Sequence, residues 1–136
     1  MPKPLFQPFC VALVLACAGH ASSAQNADTL LSKQYAACMG QRTGTTTDMV
    51  DCITAETKRQ DARLNQAYKA AMALQSPARQ KQLQAVQRLW LKFRDANCEF
   101  YSDPDGGSLA RLSANECMMN STAQRARELE GFAPNQ

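Results

Sequence analysis

Four cysteines set the terms for what this chain can fold into. The sequence holds six, but Cys10 and Cys17 fall in an N-terminal stretch that reads as a secretory leader. Lys3 precedes an apolar run from Leu5 to Ala18, and Ala21-Ser22-Ser23-Ala24-Gln25 follows, with Ser22-x-Ala24 as the cleavage site. The apolar run is too short to span a bilayer, and no later segment approaches its length. Residues 1–24 are therefore expected to be a signal peptide. Removing them from the 136 leaves one domain of 112 residues, 25–136, carrying Cys38, Cys52, Cys98 and Cys117. In an exported domain of that size four cysteines argue for two disulfides, with three connectivities open.

Export also changes what the rest of the composition means. The single histidine, His20, leaves with the leader, and the net charge falls from +3 to +2 because Lys3 is the one charge lost. A balance so close to neutral offers no footprint for nucleic acid, and none is expected as a partner. Val14-Leu15-Ala16-Cys17 resembles a lipobox. Lipidation of Cys17 is the alternative route, and it would tether the same domain to a membrane. The expected location is the periplasm or the secreted fraction, with lipid anchorage to the envelope through Cys17 as the alternative.

The remaining chain is rich in Ala, Gln, Leu, Arg and Met and has no run of β-branched residues outside Thr43 to Thr47. Four helices are expected. The first spans about 28–39 and stops at Gly40. The second starts at Asp48 as N-cap, with Asp51 three residues on, and runs to about Gln75, with Met49, Ile53, Leu64, Tyr68 and Met72 at helical spacing. Ser76-Pro77 opens the third. Its expected core face is Leu83, Val86, Trp90, Phe93, Asn97 and Tyr101, with Lys81, Arg88 and Lys92 on the opposite side as a solvated face or, alternatively, a docking surface for an acidic partner. Asp103-Pro104-Asp105-Gly106-Gly107 is a turn, and the last helix starts between Ser108 and Ser113 and ends near Gly131.

A turn near residues 76–77 fixes a register for the second and third helices. Leu64 then faces Trp90, and Tyr68 faces Ala85 and Val86. Asp61 falls opposite Lys92 and within a turn of Arg94, so an Asp61–Arg94 ion pair at the edge of this interface is expected, with two separately solvated charges as the alternative. Trp90 and Arg94 are four residues apart, which lets the guanidinium lie over the indole.

Among the three connectivities, local order favours Cys38–Cys52 and Cys98–Cys117, each tying the last turn of one helix to the first turn of the next. Closing loops of this size stabilises by about 3 kcal/mol each in the chain-entropy model. Asp48-x-x-Asp51-Cys52 and Ser113-x-x-Glu116-Cys117 share a pattern of cap, acid and cysteine, a weak internal echo. If the last helix begins at Ser108 instead, Cys117 sits deeper in it. The cysteine separations of 14, 46 and 19 residues do not suit a zinc site, which wants close CxxC-type pairs, and no metal or cofactor is expected.

Without histidine, and with paired cysteines, the usual nucleophile–base and His–metal arrangements are closed. Carboxylates remain at Asp61, Asp95, Glu99, Asp103, Asp105 and Glu116, but no spacing selects an acid–base pair. Gly106-Gly107-Ser108 is explained by a turn and a cap without a bound anion. The chain is expected not to be an enzyme.

One combination of residues is more specific. Cys52 is followed by Asp61-x-x-Leu64-Asn65-x-x-Tyr68 and Gln87-x-x-Trp90-x-x-Phe93-Arg94-Asp95-x-x-Cys98, then Gly106-Gly107-Ser108, Cys117 and Thr122-x-x-Arg125 with Leu129. This resembles the LprI N-terminal-like family, named after a lysozyme inhibitor, over about residues 35–130. The resemblance implies an exported, disulfide-bonded helical domain and a protein partner, with lysozyme the first to consider. It carries no inhibitory residue across. Asp61, Leu64, Asn65, Tyr68, Trp90, Arg94, Asp95 and Arg125 have structural readings. Leu64, Tyr68, Trp90 and Phe93 read as core, and Asp61, Asn65 and Arg94 as polar links between helices.

Lysozymes are typically basic, so a binder should offer an acidic surface, which a domain at +2 must concentrate locally. The candidate is the turn Asp103-Pro104-Asp105-Gly106 with Glu99 beside it. The expectation is an all-α, disulfide-stapled bundle of about four helices, acting as an envelope protein-binding module of the lysozyme-inhibitor type. The alternative is a periplasmic structural or interaction domain with a different partner. Nothing in the sequence sets its oligomeric state.

Overall fold

A computed structural model describes residues 30–41 and 44–132. The expected leader with its expected cleavage site, and Cys17, lie outside them. The described residues form four helices: α1 (Lys33–Gln41), α2 (Thr46–Ala73), α3 (Pro77–Phe100) and α4 (Gly107–Glu130). There is no strand among them, and no helix is long and apolar enough to cross a membrane. The two expected disulfides are present, Cys38–Cys52 with Cα atoms 5.8 Å apart and Cys98–Cys117 with Cα atoms 5.4 Å apart.

The most extensive interface joins α2 to α4. The two helices run in the same direction, with α3 returning between their ends. Arg63 of α2 pairs with Glu130 at the C-terminal end of α4 at 2.6 Å, and Ala71 near the end of α2 clusters with Ala126 and Leu129 near the end of α4. The buried α2 positions Ile53, Glu56, Gln60, Leu64, Ala67 and Ala71 recur at intervals of three and four, as do Met119, Thr122, Ala126 and Leu129 on α4. Ala67, Ala71, Ala123 and Ala126 are among the most buried residues, and their small side chains let the two helices approach closely. Leu64, Ala67, Ala71, Ala126 and Leu129 form one cluster, with Tyr68, Leu83 and Trp90 against its edge. The core holds few large apolar side chains, so two staples matter to a domain of this size.

Helix boundaries correct several expectations. Ser32 opens α1: its hydroxyl accepts from Tyr35 N at 3.1 Å, so the helix begins later than residue 28. Gly40 does not end α1, because the positive-φ glycines are Gly44 and Gly107 and Gly40 keeps a helical backbone. Thr45, not Asp48, caps α2, its hydroxyl accepting from Asp48 N at 3.1 Å. Gly106 occupies the N-cap of α4, so Ser113 and Glu116 lie inside the helix and form no capping box. The internal echo therefore dissolves, since neither of its supposed caps is one. Cys52 is the seventh residue of α2 and Cys117 the eleventh of α4, so neither bridge reaches the first turn of the following helix.

The largest correction concerns α3. Val86 is 50% exposed and Phe93 65%, and Tyr101 is also exposed. The face turned inward carries Leu83, Gln87, Trp90, Arg94 and Cys98. Three bonds to α4 set this rotation: the Cys98–Cys117 bridge, Arg94 to Thr122 at 3.1 Å and Arg125 to Gln87 at 3.0 Å. The expected register of α2 and α3 holds, but their backbones scarcely meet. An open groove separates them, and Tyr68 shares it with Gln84 and Gln87 rather than with Ala85 and Val86.

Candidate functional site

The α3–α4 connection projects from one end of the molecule. Asp103 to Gly106 form a β-turn, with Gly106 N donating to Asp103 O at 3.1 Å and Pro104 in the second position, where its fixed φ fits. The Asp103 carboxylate accepts from Asp105 N at 2.9 Å, which stiffens the turn. Two glycines are required here for different reasons. Gly107 has φ +61°, and a Cβ on Gly106 would stand 2.6 Å from that of Ala110. The Cys98–Cys117 bridge anchors both arms behind the turn.

Glu99, Asp103 and Asp105 are all exposed, and no ion pair neutralises them among the described residues. Glu99 also lines a shallow cavity of about 260 Å³ beside the bridge, together with Asp95, Ser102, Asn115 and Met118. The arrangement is a rigid acidic prominence over a partly apolar groove. Among the described residues, no group of three or more His, Cys, Asp or Glu side chains could hold a metal ion.

A second constellation lies where α2, α3 and α4 converge. Trp90 is flanked by two guanidinium groups, with Cζ of Arg94 5.3 Å and that of Arg125 5.8 Å from its ring centroid. Arg94 donates to Thr122 Oγ1 at 3.1 Å and to Asp95 at 2.8 and 2.9 Å, and its Nη1 stands 3.6 Å from Asp61, the expected ion pair. Arg125 is buried, donating to Gln87 at 3.0 Å and to the exposed Glu128 at 2.8 Å, while its Nη2 has no hydrogen-bond partner among the described residues. Asn65 departs from its expected role. It is exposed in the α2–α3 groove and makes no hydrogen bond to another helix among the described residues.

The fold buries Glu56 and Gln60, which no sequence pattern singles out, and also Gln87 and Thr122, which the family pattern includes without a role. The carboxylate of Glu56 accepts from Ser32, Arg59 and Gln60. Burial acts first to raise its pKa, but the bonds from Ser32, Gln60 and Arg59 outweigh that and hold it at about 2. The available signal was that Glu56, Gln60 and Gln87 continue the apolar spacing of their helices. Which of them would find partners depends on the other elements.

No curated protein and no solved structure matches the chain. A family model described as lysozyme inhibitor LprI matches residues 38–129, a span that runs from the first bridged cysteine through the core of α4 and includes both disulfides and the acidic turn. With two thirds of its length inside that match, the chain belongs to the LprI lysozyme inhibitor family.

Proposed function

We propose that the protein is an exported, non-catalytic binding module of the periplasm or cell envelope whose partner is lysozyme. In this reading residues 1–24 direct export and are removed. The Asp103–Gly106 turn enters the substrate cleft of lysozyme, Asp105 pairs with a cation on the basic rim of that cleft, and Glu99 extends the contact along α3.

The observation that carries the reading is the stapled acidic turn within a chain of the LprI family: three exposed carboxylates close together in a domain of slight positive charge. A preformed turn loses little conformational freedom on binding, which favours affinity without a large interface. Charge complementarity should also speed association and make it sensitive to salt.

The test is titration of active lysozyme with the purified protein and with an Asp103→Asn/Asp105→Asn variant. Asparagine retains the side-chain acceptor that shapes the turn while removing both charges. Inhibition by the native protein, weakened at least about tenfold in the variant, is expected. Equal inhibition by both proteins rules out the turn as the contact. Absence of inhibition by either removes lysozyme as the partner.

A further inference from the structure

We propose that the protein pairs with a second copy of itself through the outer face of α3, the two helices running antiparallel about Phe93. Val86, Leu89, Phe93, Ala96 and Phe100 recur at intervals of three and four and form one stripe along α3. Leu89 is 67% exposed and Phe100 84%, with Val86 and Phe93 also open to solvent. The stripe lies about 120° around the helix from the face that meets α4. Single exposed apolar side chains are ordinary, but a continuous stripe with two phenylalanines marks an interaction surface.

The flanking charges identify the occupant and its direction. On one flank Arg88 and Lys92 precede Phe93, and Asp95 and Glu99 follow it. Glu99 in the last turn opposes the helix dipole, which favours bases there, so its charge does not serve α3 alone. Arg88, Lys92 and Glu99 make no ion pair among the described residues, and Asp95, still 59% exposed, pairs with Arg94 of its own helix.

In an antiparallel pair about a twofold axis at Phe93, each charged flank meets its own counterpart with the basic half beside the acidic half. Arg88, five residues before Phe93, comes nearly level with Glu99 of the second copy, six residues after it. Lys92 likewise comes nearly level with Asp95 of the second copy, and symmetry makes each contact twice. Flanking charges of this kind set partner and orientation when helices pair. A parallel pair would instead bring the flank against Asn97 and Tyr101, with no carboxylate to meet Arg88 or Lys92. Any other partner would have to reproduce the bipolar pattern that α3 already carries.

Sedimentation equilibrium of the purified protein across micromolar concentrations tests the proposal. A reversible dimer is expected, reduced to monomer by Phe93→Glu, with helicity by circular dichroism unchanged because Phe93 is outside the core. Leu89→Glu gives the same readout should Phe93→Glu lose helicity. Arg88→Glu should weaken the dimer about tenfold, and Arg88→Glu/Glu99→Arg should recover most of that loss. A monomer at every concentration, or a dimer indifferent to both Phe93→Glu and Leu89→Glu, overturns the proposal. So does a charge exchange that recovers nothing, because the antiparallel register requires it to.

Discussion

Glu56 accepts two hydrogen bonds from Ser32, one from the backbone N–H at 2.8 Å and one from the hydroxyl at 2.5 Å, across 24 residues of sequence. The carboxylate is fully buried and ties the start of α1 to α2, assisted from its own helix by Arg59 at 2.7 Å and Gln60 at 2.6 Å. Arg63 fastens the same segment by donating to Leu30 O at 3.1 Å. The first turn of α1 thus depends on an acid far along the chain.

Glu56 should make stability fall in acid. Its folded pKa of about 2 lies below the ordinary 4.5, so its contribution is fully present above 4.5 and is lost as pH falls toward 2. That contribution is about 3 kcal/mol at neutral pH. Glu56→Gln should cost about 2 kcal/mol at pH 7, because the amide group turns a donor toward Arg59 or Ser32. It should also flatten the dependence between pH 4.5 and 2. Urea unfolding of both proteins at pH 7, 4 and 2.5 measures this, and parallel pH profiles would show that Glu56 is not the titrating group.

Arg94 and Asp61 should prove unequal partners. Asp61 is 52% exposed and its ion pair is long, so Asp61→Ala should cost less than about 1 kcal/mol. Arg94→Ala should cost about 2 kcal/mol, since it also removes the bond to Thr122 and the guanidinium over Trp90. A double-mutant cycle by thermal unfolding separates the terms. A coupling energy as large as the whole Arg94→Ala effect would mean that the ion pair, and not the contact with α4, holds α3 in place.

Arg125 should tolerate replacement better than the loss of its acceptor. One of its guanidinium nitrogens is buried without a hydrogen-bond partner among the described residues, so Arg125→Met removes that unmet donor along with the charge, though it leaves Gln87 Oε1 without its donor, and should cost about 1 kcal/mol. Gln87→Leu leaves the guanidinium buried with one acceptor fewer and should cost about 2 kcal/mol. Comparison of the two midpoints in denaturant decides the matter. A larger loss for Arg125→Met would show that its packing against Trp90 outweighs its incomplete hydrogen bonding.

What could be read in the chain and what could not divide along the range of the interactions. Ser76-Pro77 starts α3 because a fixed φ and a missing N–H are properties of Pro77 itself. The Asp103–Gly107 turn follows as directly from its own residues. The pairing of Cys98 with Cys117 was favoured because they lie close in sequence, and Asp61 comes near Arg94 because one tight turn joins their helices. Thr45 and Asp48 both suit the N-cap of α2, and only the folded backbone, helical from Thr46, gives the role to Thr45.

By itself, then, the sequence determined the helical class, the number of helices, the two staples and the acidic turn between α3 and α4. These depend on spacing, on backbone preference and on residues close along the chain. Only the tertiary structure decided that α2 packs on α4, that Glu56, Gln87 and Arg125 go inside, and that Phe93 stays outside. A helix with apolar side chains around much of its girth has several faces it could bury. The choice fell to bonds with another helix, Cys98 to Cys117, Arg94 to Thr122 and Gln87 to Arg125, because a buried polar group is stable only where a distant partner meets it.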